Sequence, residues 1–176
     1  MTAHHTRGTT PHTGIGRLLE AIERAYDRRS WHGTNLRGSV RGLLPEEAAW
    51  RPQPGRHNIW EIVVHAAYWK YAVRRRLAGD RRGSFPLKGS NWFERSDAAN
   101  SRLWKEDVAL LDRMHAELLG AVAALSPKDL DRAAAGGTTS VFELVAGIAA
   151  HDAYHAGQIQ LIKRLRRGHG RGPGRR

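Results

Sequence analysis

Apolar residues recur three and four positions apart in four long stretches of the chain, and no stretch alternates residue by residue as a strand does. Ile15, Leu18, Leu19, Ile22, Ala25 and Tyr26 form one stripe and predict a first helix over roughly 14–30, ended near Gly33. A second stripe, Ile59, Ile62, Val63, Ala66, Trp69, Val73 and Leu77, opens at Asn58 and stops at Gly79. Asn58 followed three residues later by Glu61 has the form of a capping box. The third helix is expected over 97–125, where Leu111, Met114, Leu118, Ala121 and Leu125 repeat at the 3-4-3-4 spacing of a bundle seam. The fourth opens on a second capping box, Ser140 with Glu143, and continues to about Arg166. Shorter helical turns are expected where Pro45 and Pro127 stand at a first helical position.

Four amphipathic helices and no strands predict an all-α fold, a four-helix bundle. The connection from Asp80 to Ser96, about 17 residues, is long for a structureless loop and holds Trp92 and Phe93. It predicts a long crossover between helices two and three, which then run parallel. The organisation expected is a flexible segment 1–13, the bundle over 14–166, and a flexible basic tail over 167–176.

Composition narrows the chemistry. The 176 residues are 40% hydrophobic and 26% charged. That balance suits one globular domain. With no cysteine there is no disulfide, thiolate metal site or cysteine nucleophile. No apolar run approaches the roughly 20 residues of a membrane span, and the N-terminal residues lack the apolar core of a secretory signal, so the expected location is cytoplasmic. The net charge of +12 raises nucleic-acid binding as an alternative. Its arginines, however, sit in the tail and late in helices, as at Arg74, Arg75 and Arg76, where cations suit the helix dipole, and no nucleic-acid motif accompanies them.

The fourth helix carries the candidate chemistry. With His151 at zero on a wheel of about 100° per residue, His155 falls near 40°, Leu144 and Ile162 near 20°, and Gln158 near −20°. The two imidazoles therefore lie within the apolar stripe and need partners, because an unsatisfied buried polar group costs roughly 1–3 kcal/mol. Each either bonds to a neighbouring helix, or both grip one metal ion. A catalytic zinc-type site needs three protein ligands and an open position. Among the remaining histidines, His65 lies inside helix two, roughly 95° from the centre of its apolar stripe. It is equally readable as a partly exposed histidine or as a ligand facing a cleft.

The stretch Asn58-Ile-Trp-Glu-Ile-Val-Val-His65-Ala-Ala-Tyr-Trp-Lys70 resembles the helix-two signature of the DinB/YfiT-like superfamily, and His151-Asp-Ala-Tyr-His155-Ala-Gly-Gln158 resembles its helix-four signature. Trp31-His-Gly-Thr-Asn-Leu-Arg37 and Glu47-Ala-Ala-Trp-Arg-Pro52 also look familial, and the resemblance spans about residues 14–166. It implies a four-helix bundle with a crossover, and it implies that His65, His151 and His155 bind one divalent metal ion such as zinc or nickel. Some members of that superfamily are thiol-dependent transferases or isomerases, so it also implies a low-molecular-weight thiol, of the bacillithiol or mycothiol kind, as a cosubstrate.

Roles for other residues follow less directly. Glu61 is a weak candidate general base, its alternative being the capping box. Asp152, about 80° from the metal face, is another weak catalytic candidate and is better suited to a supporting or surface salt-bridge role. Gln158 is placed to orient an imidazole or to bond a metal-bound ligand. Tyr68, Tyr154 and Trp31, with Trp92 and Phe93, are pocket candidates. Three functions stand: a metal-dependent transferase or hydrolase acting on a small molecule, a noncatalytic metal-binding stress-response module, and a basic nucleic-acid binder. A homodimer through the exposed tryptophans is compatible with each.

Overall fold

A computed structural model describes residues 14–80, 82–95 and 99–169. Among them are six α-helices: α1 (Gly14–Tyr26), α2 (Leu36–Val40), α3 (Pro45–Ala49), α4 (Ile59–Ala78), α5 (Ser101–Ala123) and α6 (Val141–His169), with one 3-10 turn at Pro127–Asp129. The four long helices are the four predicted stripes, and no strand forms among the described residues. No helix there is long and apolar enough to cross a membrane. The expected segment 1–13 lies outside the described residues, as does the tail beyond residue 169, while α6 continues three residues past the expected end at Arg166.

Local chemistry sets the boundaries. The Asn58 side chain accepts from Glu61 N at 2.8 Å, and the Glu61 carboxylate accepts from Asn58 N at 3.4 Å. Helix α4 ends on Gly79 in the left-handed region, with φ 74°. Ser140 and Glu143 bond reciprocally at the start of α6. Two boundaries differ from expectation. Helix α1 stops at Tyr26 rather than near 30, its last turn closed by Asp27 N and Arg28 N, which both donate to Glu23 O. The short α2 has no counterpart among the predicted elements. Five residues that include Gly38 and Ser39 hold no periodic stripe. Its clearest local signal is the Asn35 cap, which accepts from Gly38 N at 2.8 Å.

The crossover follows from the contacts. Trp60, near the start of α4, packs against Trp104 near the start of α5 and donates from Nε1 to Asp107 at 2.7 Å; near the other ends, Arg74 approaches Glu117 at 3.9 Å. Helices α4 and α5 therefore run parallel. Helix α6 runs antiparallel to α4, because His65 meets His151 and His155 while Arg76, later in α4, lies across from Glu143, earlier in α6. The core divides into two apolar clusters. One surrounds Trp60, Leu111 and Ile159 at the histidine end, and the other surrounds Ile22, Leu118 and Val145 at the far end.

The chain from α4 to α5 returns across the histidine end and is fastened there. Phe85 and Phe93 are buried in the first cluster. Arg95 forms a bidentate pair with Asp107 at 2.7 and 3.2 Å. Those anchors hold residues 91–93 over α4. Other arginines also pair with carboxylates, as Arg37 with Asp112 and Arg51 with Glu61.

Candidate metal centre

His65 from α4 and His151 and His155 from α6 converge. The His151 Nε2 lies 3.2 Å from His65 Nε2 and 3.1 Å from His155 Nε2. The outer nitrogens of two rings are tied to oxygen acceptors. His65 Nδ1 donates to the Asn91 carbonyl at 2.8 Å, and His155 Nδ1 donates to Gln158 Oε1 at 2.7 Å. A proton on each Nδ1 leaves a lone pair on each Nε2, and both lone pairs face the same place. Bonds of about 2.0–2.1 Å to a tetrahedral ion set its nitrogens about 3.3–3.4 Å apart, close to the two separations found here. The donor set therefore fits a divalent metal, and no fourth histidine, cysteine or carboxylate joins the cluster among the described residues.

Burial keeps the rings neutral. It is the first cause, followed by the imidazoles of His155 and His65 and the ammonium of Lys70, that pushes the His151 imidazole down to about 3. Burial, with His65 beside it, pushes His155 down to about 4 against the pull of its Gln158 bond. His65 also moves down through burial, against its Asn91 bond. Neutral imidazole is the form a metal requires.

The support around the cluster comes largely from the crossover. Asn91 adopts a left-handed backbone, with φ 63°. Asparagine tolerates that conformation better than most residues. There its carbonyl meets His65 while its side-chain oxygen accepts from Trp69 Nε1 at 3.0 Å. Trp92 stacks on His65 at 3.8 Å between ring centroids and on His57 at 3.6 Å, so the indole lies between two imidazoles. His65 is consequently only 5% exposed. The wheel puts it at the edge of its stripe, and the difference is the loop laid over it.

The other expected residues separate. Gln158 orients His155 and donates from Nε2 to the Tyr154 hydroxyl at 2.9 Å; Tyr154 itself is exposed beside the His155 ring. Glu61 keeps its capping role and is held by Arg51 at 2.8 Å and His57 at 2.9 Å. Burial pushes its carboxyl up, but those bonds outweigh it and the net direction is down, which suits an ionised anchor more than a proton acceptor. Tyr68 packs among Phe85, Phe93 and Tyr71. Trp31 is 93% exposed with its ring edge-on to His32, and a side chain so exposed lines no pocket.

Asp152 is not on the surface. It is fully buried and pairs with the equally buried Lys70, whose ammonium also sits 4.7 Å over the Tyr26 ring. Its place off the α6 stripe points it across at α4 rather than out to water. Lys70 is a buried ion-pair partner that the sequence pattern does not single out. Its signal is its position within about 45° of the centre of the α4 stripe, where a lysine is out of place without a partner. Tyr26 continues the polar layer, donating to Asp112 and stacking on the buried His115 at 3.6 Å between centroids.

A bundle whose facing helices bring two buried imidazoles and one half-buried imidazole to one point is compatible with a metal-binding protein. The family profile of the DinB superfamily matches residues 28–159, and the chain belongs to that superfamily. No curated protein and no solved structure matches it significantly.

Proposed function

We propose that the chain is a cytoplasmic divalent-metal-dependent enzyme, with His65, His151 and His155 as the ligands, that joins a low-molecular-weight thiol, or water, to a small-molecule substrate. The observation that carries this reading is the convergence of three Nε2 atoms, two of them stripped of their proton by acceptors on the far side of the ring. A divalent ion held by three neutral imidazoles keeps its full charge and acts as a Lewis acid that promotes ionisation of water or a thiol. With no cysteine in the chain, the thiol comes from outside.

A cavity of about 290 Å³ is lined by Trp92 and Gln158, which touch His65 and His155, together with His57, Arg56, Ile62 and Ile162; none of the three histidines lines it. Its mixed lining suits a thiol that carries a carboxylate. Arg56 attracts the anion, the apolar floor takes the carbon skeleton, and Gln158 holds His155 in place. A noncatalytic metal-binding module is the second reading, favoured by the burial of His65 under Trp92. Metal analysis of purified protein beside His65→Ala and His155→Ala tests the shared premise: bound zinc or nickel near one equivalent is expected in the parent and little in either variant. Retention by both variants overturns it. A screen of thiols against small electrophiles then separates the enzyme from the module, turnover being expected only from the first.

A further inference from the structure

A second, different space opens on the other side of His151. It is a groove of about 150 Å³ between α4 and α6, walled by Ala72 and Val73 on one side and by Leu144, Gly147 and Ile148 on the other. Trp69 and His151 close one end, and Arg76 and Glu143 stand at the other. The Trp69 indole is held at that end by its bond to the Asn91 side chain. Between its ends the groove has no charged wall, and its one cation and one anion leave no net preference for a charged occupant.

Gly147 lies in the α6 wall of the groove. A β-carbon added there meets nothing within 4 Å, and its backbone is ordinary α-helix with no positive φ. Glycine inside a helix costs about 1 kcal/mol against alanine. No contact or backbone angle at this position requires it, and a long side chain grown from it would enter the groove that it lines. A groove of about 150 Å³, open along one side, has room for one face of a group about the size of benzene.

We propose that this groove is a substrate subsite that binds an uncharged apolar group of about six carbons, aromatic or branched alkyl, beside the histidine cluster. Its role in the reaction rests on the metal-centre reading above; its ability to bind such a group does not. The substrate thus has a polar reacting end at the histidines and a compact apolar end along α6. Gly147 sets the size limit.

Two measurements test this. With metal-free protein, saturation-transfer NMR to benzyl alcohol is expected to show binding that Gly147→Leu abolishes. Leucine is a good helix former, so that variant is expected to fold with unchanged circular dichroism, and Gly147→Ala should retain binding. With cobalt-loaded protein, phenylacetohydroxamate and acetohydroxamate are compared through the cobalt absorption spectrum. The phenyl compound is expected to bind about ten- to a hundredfold more tightly, the gain from burying a ring of that size, and Gly147→Leu should reduce the difference to under about threefold. Benzyl alcohol binding without a cobalt spectrum upholds the groove while the metal centre falls. No binding to metal-free protein, or a phenyl preference that survives Gly147→Leu, overturns the proposal.

Discussion

Two polar groups lie side by side on the same pair of helices, with Asp152 between His151 and His155 on α6, and they meet burial in different ways. Lys70 and Asp152 are both fully buried and answer each other. Burial drives the lysine down and the aspartate up, and each opposes the other's shift. His65, His151 and His155 meet only through their inner nitrogens, with His151 Nε2 at 3.2 and 3.1 Å from the other two. Two of the three point unprotonated nitrogens at a shared space, and His151 keeps a buried Nδ1 without a partner. A pair of opposite charges is complete in itself, whereas two inner lone pairs beside a third imidazole also offer a place for a cation. The first is a structural ion pair, and the second has the donor set that could hold a metal ion.

The comparison breaks most sharply at Lys70. Lys70→Met leaves a buried uncompensated carboxylate, with an expected loss of about 3–5 kcal/mol in chemical denaturation, and Lys70→Met with Asp152→Leu should restore most of it. Metal affinity should follow stability in neither variant; a parallel collapse of metal binding in the folded double variant would show the two groups to be one unit. A smaller effect is expected at Gln158. Gln158→Leu releases His155 Nδ1 and should weaken metal binding by about ten- to a hundredfold, read by competition with a chromophoric chelator, with little change in metal-free stability.

Asn91 separates backbone from side chain. Asn91→Val forces a β-branched residue into the left-handed region, costing about 1–3 kcal/mol and loosening the loop over His65. Asn91→Gly keeps the carbonyl in place and should change metal affinity less than about threefold. The smallest effect belongs to His115, whose imidazole burial and the Lys70 charge push down to about 3. Because its folded value is depressed, the unfolded chain takes up the proton first. Stability is therefore lost as pH falls below about 6.5 and continues to fall toward 3. His115→Phe should remove less than about 1 kcal/mol of that loss at pH 6, measured by urea denaturation, without altering metal affinity.

These two regions are unequally legible in the sequence. Capping boxes at Asn58 and Ser140 and the His151/His155 spacing are local, so the chain spells them out within a single turn. Lys70 is legible in kind, as a charge on an apolar stripe, but its partner lies 82 positions away on another helix. No periodicity carries that pairing. The expected salt bridge of Asp152 forms, but inside the bundle rather than at the surface, for the same reason. His65 looks like an edge residue because a helical wheel knows nothing of Trp92, which reaches it through a loop. The groove at Gly147 is silent altogether, since a glycine in a helix announces missing side-chain volume only when the facing helix is known.

Parallel α4 and α5 have a further consequence. To begin α5 beside the start of α4, the chain must travel back the length of the twenty-residue helix it has just left. At the α-helical rise that is a return of about 30 Å. His65 stands on that path, and the returning backbone supplies its hydrogen-bond acceptor and its stacking partner. An up-down bundle joined by a short turn would leave the same three histidines uncovered. The roof over the cluster is thus a by-product of connectivity, and it is portable. Exchanging residues 80–100 as a cassette would change what surrounds His65 while leaving every helical ligand position where it is.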